Sequence, residues 1–152
     1  MMRIAIGADH AGFDMKHERV VALRAAGHEA FDLGTPSTTA VDYSDSAEAV
    51  ASALGEGRAE RGLLVCGSGA GVSIAANKVP GIRAAVCHDT YTAHQAVEHD
   101  DMNVLCLGAR VVGASLAQEI TTAFLAARFS GEERHRRRLG KVLATEARFS
   151  RT

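Results

Sequence analysis

Short apolar runs alternate with helix-length segments along most of the chain. Each run ends at a glycine or a polar residue, a pattern typical of strands buried on both faces. The predicted strands are 3 to 7, 29 to 33, 62 to 66, 83 to 87 and 104 to 108. The predicted helices are 12 to 26, 44 to 57, 70 to 78, 90 to 99 and 113 to 128.

The helical segments near the C-terminal end differ in character. In the fifth helix, Leu116, Ile120 and Phe124 recur every four residues and predict an apolar stripe. The next segment, 131 to 149, breaks the alternation and is predicted to be a basic helix with no strand after it. Arg134 and Arg138 are four residues apart, so their side chains would emerge on one face of it.

Buried strands separated by helices indicate a parallel sheet with helices on both faces. We therefore expect an α/β fold: a three-layer α/β/α, Rossmann-like single domain over 1 to 152, with a five-stranded parallel sheet and a C-terminal helical tail. Ligands of such folds bind beyond the carboxyl ends of the strands. This rule directs attention to the residues that follow each strand.

Composition narrows the possible functions. Lys and Arg number 17 against 18 for Asp and Glu, and this balance gives no general attraction to nucleic acid or to an anionic membrane. No apolar window is long enough to span a bilayer. The three cysteines are spaced for neither a disulfide framework nor a zinc site, which favours a reducing, cytoplasmic compartment.

The most distinctive stretch is LLVCGSGAGVSIAANK, residues 63 to 78. Gly67, Gly69 and Gly71 would let a tight turn present several backbone N–H groups toward one point, ahead of a helix N-terminus. Such a turn could bind a phosphate, stabilise an oxyanion formed during a reaction, or simply connect a strand to a helix.

Two nucleotide-binding patterns compete for these glycines. The Walker pattern fails because its lysine is missing. The dinucleotide pattern is met only in part, since Val72 stands where a third glycine belongs, although Asp89 could serve as a ribose-binding acid. A nucleotide-binding regulatory module therefore stays open as a non-enzyme alternative.

Cys66 is the cysteine with a chemical role to consider. It ends its strand beside a helix N-terminus, an environment that favours a thiolate able to act as nucleophile or base. Cys87 and Cys106 are interpreted as inert core residues.

Most of the seven histidines fit a solvent-exposed position, among them His17, His28, His94 and His135. His10 and His99 instead fall in polar clusters beside predicted strands. No metal site is predicted, because Asp9, His10, Cys66 and His99 mix hard and soft ligands at no familiar spacing.

The basic run RHRRR, residues 134 to 138, has three interpretations. A nucleic-acid patch is disfavoured by the near-zero net charge, and a solvated helix face is the plain alternative. The third is that two arginines on one face clamp a phosphate, since guanidinium groups match phosphate geometry.

Taken together, these motifs resemble ribose-5-phosphate isomerase type B and its relatives. The resemblance covers nearly the whole chain, with the motifs in the same order. They are IGADHAGF, the DY pair at 42 and 43, VCGSGAGVSIAANKVPGIRAA, HDDMN, LGAR and ERHRRR.

The resemblance implies an aldose–ketose isomerase of sugar phosphates that uses no metal and no cofactor, and that works as a homodimer or homotetramer with shared active sites. Cys66 would be the base at C2, Ser68 would act within the glycine turn, and His99 would assist ring opening. The substrate-binding residues would be Asp9, His10, Tyr43, Gly67, Gly69, Ala70, Gly71, Asp100, Arg110, Arg134 and Arg138. The basic helix, about 131 to 149, would reach the partner subunit.

One departure from the family pattern bears on the substrate. Asp100 stands where the family most often has Asn, which replaces an amide donor by a negative charge. Ribose 5-phosphate and ribulose 5-phosphate are the expected substrates, and related four- or six-carbon sugar phosphates are the alternative.

Overall fold

The computed structural model describes residues 1–150, and it confirms the predicted α/β architecture. The strands are β1 (Arg3–Ala8), β2 (Glu29–Asp32), β3 (Arg61–Cys66), β4 (Ala84–Val86) and β5 (Val104–Gly108). The helices are α1 (Phe13–Ala25), α2 (Tyr43–Gly55), α3 (Ala70–Ala76), α4 (Thr90–Asp100), α5 (Ala114–Ala126) and α6 (Glu133–Phe149). A short 3₁₀ turn, His10–Gly12, precedes α1.

The five strands pair in the order β2-β1-β3-β5-β4, and every pairing is parallel. The central strands β1, β3 and β5 therefore end at one edge of the sheet, where the rule for such folds places the ligand. Within residues 1–150, no helix is both long and apolar enough to cross a bilayer.

The core consists of two apolar clusters, one on each face of the sheet. Ile4 and Ile6 of β1 pack with α1, α4 and α5, whereas Ala5 points to the opposite face and packs with α2 and α3. Small residues let helices approach closely on that second face. A Cβ atom at Gly62 would lie only 2.6 Å from Cγ1 of Val50 in α2.

The predicted stripe on the fifth helix is only partly correct. Ile120 and Phe124 are buried, but Leu116 is 39% exposed and Ala117 occupies the buried position instead. The helix turns by about 100° per residue, so a stripe that also buries Thr121 and Leu125 runs through Ala117 rather than Leu116.

The third helix is shorter than predicted and ends at Ala76. The side chain of Asn77 explains this end, because it hydrogen-bonds to both backbone groups of Ala84 at 2.8 Å. These bonds attach the chain to the edge strand β4 and stop the helix before residue 78.

The basic helix α6 forms as predicted but packs loosely against its own subunit. Its one buried residue within the described chain is His135. Val142 and Phe149 are 56% and 70% exposed, and they border a groove of about 650 Å³ between α6 and the β4 edge. Much of the apolar surface of α6 is therefore left uncovered by its own chain.

Lys16 of α1 is a buried charge that anchors the loop after β2. It is only 1% exposed, and its Nζ donates to Oδ1 of Asp32 at 2.8 Å and to the carbonyl oxygen of Thr35 at 2.7 Å. Both hydrogen bonds satisfy a group that would otherwise be costly to bury. The loop that begins here continues along the carboxyl edge of the sheet.

Replacing Gly12 by Ala is expected to lower the free energy of unfolding by about 1–3 kcal/mol. The new Cβ would lie 2.5 Å from the carbonyl oxygen of Val65, so α1 must move away from β3. Gly140→Ala is the control, because no atom lies near that Cβ and Ala is favoured over Gly inside a helix. Urea denaturation measures both, and equal stability of the two variants would contradict the close approach.

Candidate active site

The glycine turn after β3 forms one wall of a cleft at the carboxyl edge of the sheet. Cys66 ends the strand and α3 begins at Ala70, with Gly67, Ser68 and Gly69 between them. Gly69 has a φ of 84°, in the left-handed region that favours glycine. Its N–H donates to Sγ of Cys66 at 3.1 Å, so the turn places a backbone donor directly on the thiol.

The cleft encloses about 400 Å³. It is lined by residues from the ends of three strands and from the start of α2: Asp9, Tyr43, Cys66, Gly67, Ser68, Gly71, Arg110 and Val111. Seven of these eight, all but Val111, were predicted site residues, and their positions along the chain are far apart. The fold brings them together because β1, β3 and β5 are neighbours in the sheet.

Two side chains cover the glycines of the turn. A Cβ atom at Gly67 would lie 3.3 Å from Nη1 of Arg110, and one at Gly71 would lie 3.0 Å from the ring of Tyr43. The N–H of Arg110 also donates to the carbonyl oxygen of Gly67 at 3.0 Å. These glycines therefore leave room for an arginine and a tyrosine that face the thiol across the cleft.

Asp9 is nearly buried at the edge of the cleft. Its Oδ1 accepts hydrogen bonds from the N–H groups of Ala11 and Gly12, at 3.0 and 3.2 Å, which fixes the carboxylate at the start of the 3₁₀ turn. The neighbouring His10 accepts the N–H of Val41 on Nδ1, at 3.2 Å. That bond leaves Nε2 as the nitrogen of His10 that can meet a ligand.

Four other predicted residues lie elsewhere, and together with His135 they form what we call the α6 cluster: His99, Asp100, Arg134, His135 and Arg138. His99 and Asp100 end α4, immediately before β5 begins. The rings of His99 and His135 stack, with centroids 4.1 Å apart. Asp100 and Arg138 line the same groove beside α6.

The cleft lies at the carboxyl ends of the strands, whereas the α6 cluster lies at their amino ends. Cys66 and Arg110 follow the carboxyl ends of β3 and β5, whereas Asp100 precedes the amino end of β5. A strand of five residues separates the two edges by roughly 15 Å. The α6 cluster therefore does not reach the Cys66 thiol of its own subunit.

His135 is the residue of the α6 cluster that the sequence interpretation missed. It was expected to be exposed, but it is only 2% exposed because it packs under His99 where α6 meets α4. The sequence holds only a weak indication that His135 belongs with the predicted site residues. It lies directly after Arg134 and three residues before Arg138, at the start of the basic helix.

Asp89 and His88, which follow β4, have structural partners. The carboxylate of Asp89 accepts from the N–H and the hydroxyl of Thr92, at 2.6 and 2.8 Å, and these two bonds lower the pKa of Asp89. Nε2 of His88 accepts the N–H of Gly108 at 2.9 Å. Asp89 thus acts as the N-cap of α4, which gives no support to a ribose-binding role in a nucleotide module.

Among residues 1–150, no group of three or more His, Cys, Asp or Glu side chains is arranged to hold a metal ion. The Asp9 carboxylate and the His10 ring accept hydrogen bonds from backbone N–H groups instead.

Residues 4–142 match the sequence model of the Ribose/Galactose Isomerase family. The chain belongs to this family. It is 47% identical over 148 residues to the ribose-5-phosphate isomerase B of Escherichia coli, covering 97% of this chain and 99% of that relative. It is 46% identical over 132 residues to the D-erythrulose-4-phosphate isomerase of Pectobacterium atrosepticum, covering 86% and 87%.

A solved structure of this family has nearly the same fold. The ribose-5-phosphate isomerase B of Clostridium thermocellum superposes with a TM-score of 0.96 at 48% identity, and the match covers 98% of this chain and 100% of that one. The resemblance proposed from the motifs is confirmed.

Cys66 is expected to be alkylated by iodoacetamide at pH 8 at least about tenfold faster than the other two cysteines. Burial raises the pKa of Cys87 to about 11, with a further contribution from Asp89, and burial also raises the pKa of Cys106. Both thiols are therefore protonated at pH 8, whereas Cys66 lines the cleft. Peptide mass spectrometry of the folded protein measures the three rates.

The matched control is Cys66→Ala, which should leave the folded protein almost unreactive. Modification of Cys87 as fast as that of Cys66 would show that the cleft does not expose the thiol selectively.

Proposed function

We propose that this member of the ribose/galactose isomerase family interconverts ribose 5-phosphate and ribulose 5-phosphate. The observation that carries the proposal is the Cys66 thiol at the wall of a cleft that Asp9 and Tyr43 also line, with the Gly69 N–H on its sulfur and Arg110 opposite. Removal of a proton from a carbon atom of a sugar phosphate needs a positioned base, hydrogen-bond donors for the developing oxyanion and a cation that binds the phosphate. The α6 cluster contains further groups that can exchange a proton or bind a phosphate, namely His99, Arg134 and Arg138.

In the proposed reaction, the Cys66 thiolate removes the proton at C2 of the open-chain aldose. The C2–H electrons form the C1–C2 double bond, and the C1 carbonyl electrons move to oxygen, which gives an enediolate. Transfer of the O2 proton to O1 and return of a proton to C1 then produce the ketose. Backbone N–H groups of the turn, Gly67, Gly69, Ala70 and Gly71, and the Ser68 hydroxyl are assigned to the enediolate oxygens.

No electrons leave the substrate in this scheme, so the proposal assigns no redox cofactor. It also assigns no metal, because N–H groups and cationic side chains stabilise the negative charge. Asp9, His10 and Tyr43 are assigned to the sugar hydroxyl groups at the edge of the cleft.

We further infer that two copies of the chain share each active site. His99, Asp100, Arg134 and Arg138 cannot reach the Cys66 thiol of their own subunit, yet family resemblance assigns them to the same site. A homodimer that places the α6 cluster of one copy over the cleft of the other resolves this conflict. It would also cover Val142 and Phe149, which one chain leaves exposed.

Within that dimer, Arg134 and Arg138 would bind the phosphate together with Arg110. Arg134 now pairs with Glu132 at 2.8 Å on the protein surface. An exposed ion pair of this kind is worth less than about 1 kcal/mol, so a phosphate can displace it. Association of dimers into a homotetramer is compatible with the same shared site.

A five-carbon substrate is favoured because the E. coli relative and the C. thermocellum structure are both named for ribose 5-phosphate. The P. atrosepticum relative is named for a four-carbon sugar phosphate. A panel of four-, five- and six-carbon aldose phosphates, with EDTA present and no nucleotide added, therefore tests both the activity and its substrate. The free thiols of Cys66, Cys87 and Cys106 fit a reducing, cytoplasmic compartment for that activity.

Cys66→Ala is expected to lower the turnover of ribose 5-phosphate by at least about 10³-fold, because the proposed base at C2 is lost. Binding of substrate should persist, and isothermal titration measures it. Cys87→Ala is the matched control and should retain activity. Normal turnover by Cys66→Ala would remove the thiol from the mechanism.

Arg138→Ala is expected to raise the KM for ribose 5-phosphate by about 10- to 100-fold, because a charge-assisted bond to phosphate is lost. Its effect on free ribose should be much smaller. Arg136→Ala, an exposed arginine of the same helix that is assigned no ligand, is the control. Equal effects on both sugars would show that Arg138 supports the helix and does not bind phosphate.

Mixing the inactive Cys66→Ala and His99→Ala proteins tests the shared site. After subunit exchange, about a quarter of the sites should combine an intact Cys66 with an intact His99, and that share of activity should return. Two Cys66→Ala preparations mixed together are the control. Absence of recovery despite proven heterodimers would contradict a site built from two subunits.

A further inference from the structure

His135 and His99 form a stacked pair where α6 meets α4. The two ring planes are inclined by only 25°, and their centroids are 4.1 Å apart. His135 is 2% exposed and is the one buried residue of α6. The contact therefore fixes both the start of α6 and the plane of the His99 ring.

Hydrogen bonds hold each ring in the stack. Nδ1 of His135 is 2.6 Å from Oγ of Ser130, and the N–H of Ser130 donates to the carbonyl oxygen of Glu98 at 2.9 Å. On the other side, Nδ1 of His99 lies 2.9 Å from Nε2 of Gln95. The His99 ring is thus held at one nitrogen and one face, which leaves Nε2 to meet a substrate.

The charges around His135 keep its ring neutral near pH 7. Burial lowers its pKa, and His99, Arg134 and Arg138 lower it further, while Glu132 acts in the opposite direction. A neutral His135 adds no positive charge beneath His99. The ring stacked on His99 is therefore uncharged.

We propose that His135 is a positioning residue that holds His99 for the opening of the sugar ring. The inference rests on the proposed function, in which His99 acts on the furanose form of ribose 5-phosphate. In that step the C1–O4 bond breaks and the C1 carbonyl forms, while O4 gains a proton and the C1 hydroxyl loses one. One nitrogen held in place above the ring can carry out such a transfer.

This role separates His135 from the isomerisation chemistry. Ribulose 5-phosphate has no furanose form, because the hydroxyl that would close a five-membered ring carries the phosphate. Exchange of its C1 hydrogen with solvent deuterium needs Cys66 and the enediolate but no ring opening. A positioning residue for ring opening should therefore affect conversion of ribose 5-phosphate and spare this exchange.

The experiment compares His135→Ala, His135→Phe and the control His94→Ala in the full-length protein. His94 lies on the same helix as His99, and its ring pairs with Glu98 on a more exposed face of that helix. Two rates are measured for each: kcat for ribose 5-phosphate, and deuterium exchange into ribulose 5-phosphate followed by proton NMR. The pH dependence of kcat is recorded as well.

For His135→Ala, kcat should fall by about 10- to 100-fold, the cost of a misplaced catalytic group, and its pH profile should change. The exchange rate should stay within about threefold of the unsubstituted protein, a change too small to matter beside that loss. His135→Phe restores a stacked ring and should recover part of the lost kcat, while His94→Ala should change neither rate. If the His135 variants do not fold, Ser130→Ala removes the anchor of the ring and is expected to reduce kcat with the same selectivity.

Equal losses of kcat and exchange would overturn the inference, because they indicate a general structural role for His135. An unchanged kcat and pH profile would overturn it as well. If the unsubstituted protein neither converts ribose 5-phosphate nor exchanges ribulose 5-phosphate, the proposed function itself fails and this inference fails with it.

Discussion

The candidate site depends on one close contact between backbones at the ends of β3 and β5. A Cβ atom at Gly108 would lie 2.6 Å from the carbonyl oxygen of Ser68, so only glycine lets the turn cross there. Beyond the strands, the N–H of Ala109 donates to Cys66 and that of Arg110 to Gly67, at 2.9 and 3.0 Å. The packing that ends the sheet therefore also sets the distance between the thiol and the arginine.

A parallel sheet imposes a second constraint, because residues at the carboxyl ends of its strands are separated by the strand length from residues at the amino ends. The cleft lies at the carboxyl edge and the α6 cluster at the amino edge, so one chain holds both parts of the proposed site without joining them. The exposed apolar residues of α6 lie beside that cluster. In the proposed dimer, burial of those residues would drive the same association that completes the site.

Much of the fold and half of the site could be predicted from the sequence, because strand periodicity and the position after each strand are local properties. Asp9, Cys66 and Arg110 meet for this reason. The burial of His135 could not be predicted, since it depends on where α6 packs against α4. The early end of α3 depends on the contact of Asn77 with a strand that begins seven positions further on. The four-residue spacing of Leu116, Ile120 and Phe124 does not define the angle at which α5 meets the sheet.

Asp100 bears on where each part of the substrate lies in the proposed site. Its carboxylate shares a groove with Arg138. A carboxylate beside a guanidinium competes with phosphate for the same donors, whereas it accepts hydrogen bonds from sugar hydroxyl groups readily. The phosphate is therefore better placed among Arg110, Arg134 and Arg138 on the side away from Asp100, with the hydroxyl groups toward Asp100. With the phosphate bound by these arginines, the distance from the phosphate to Cys66 determines which sugar chain lengths place C2 next to the thiol.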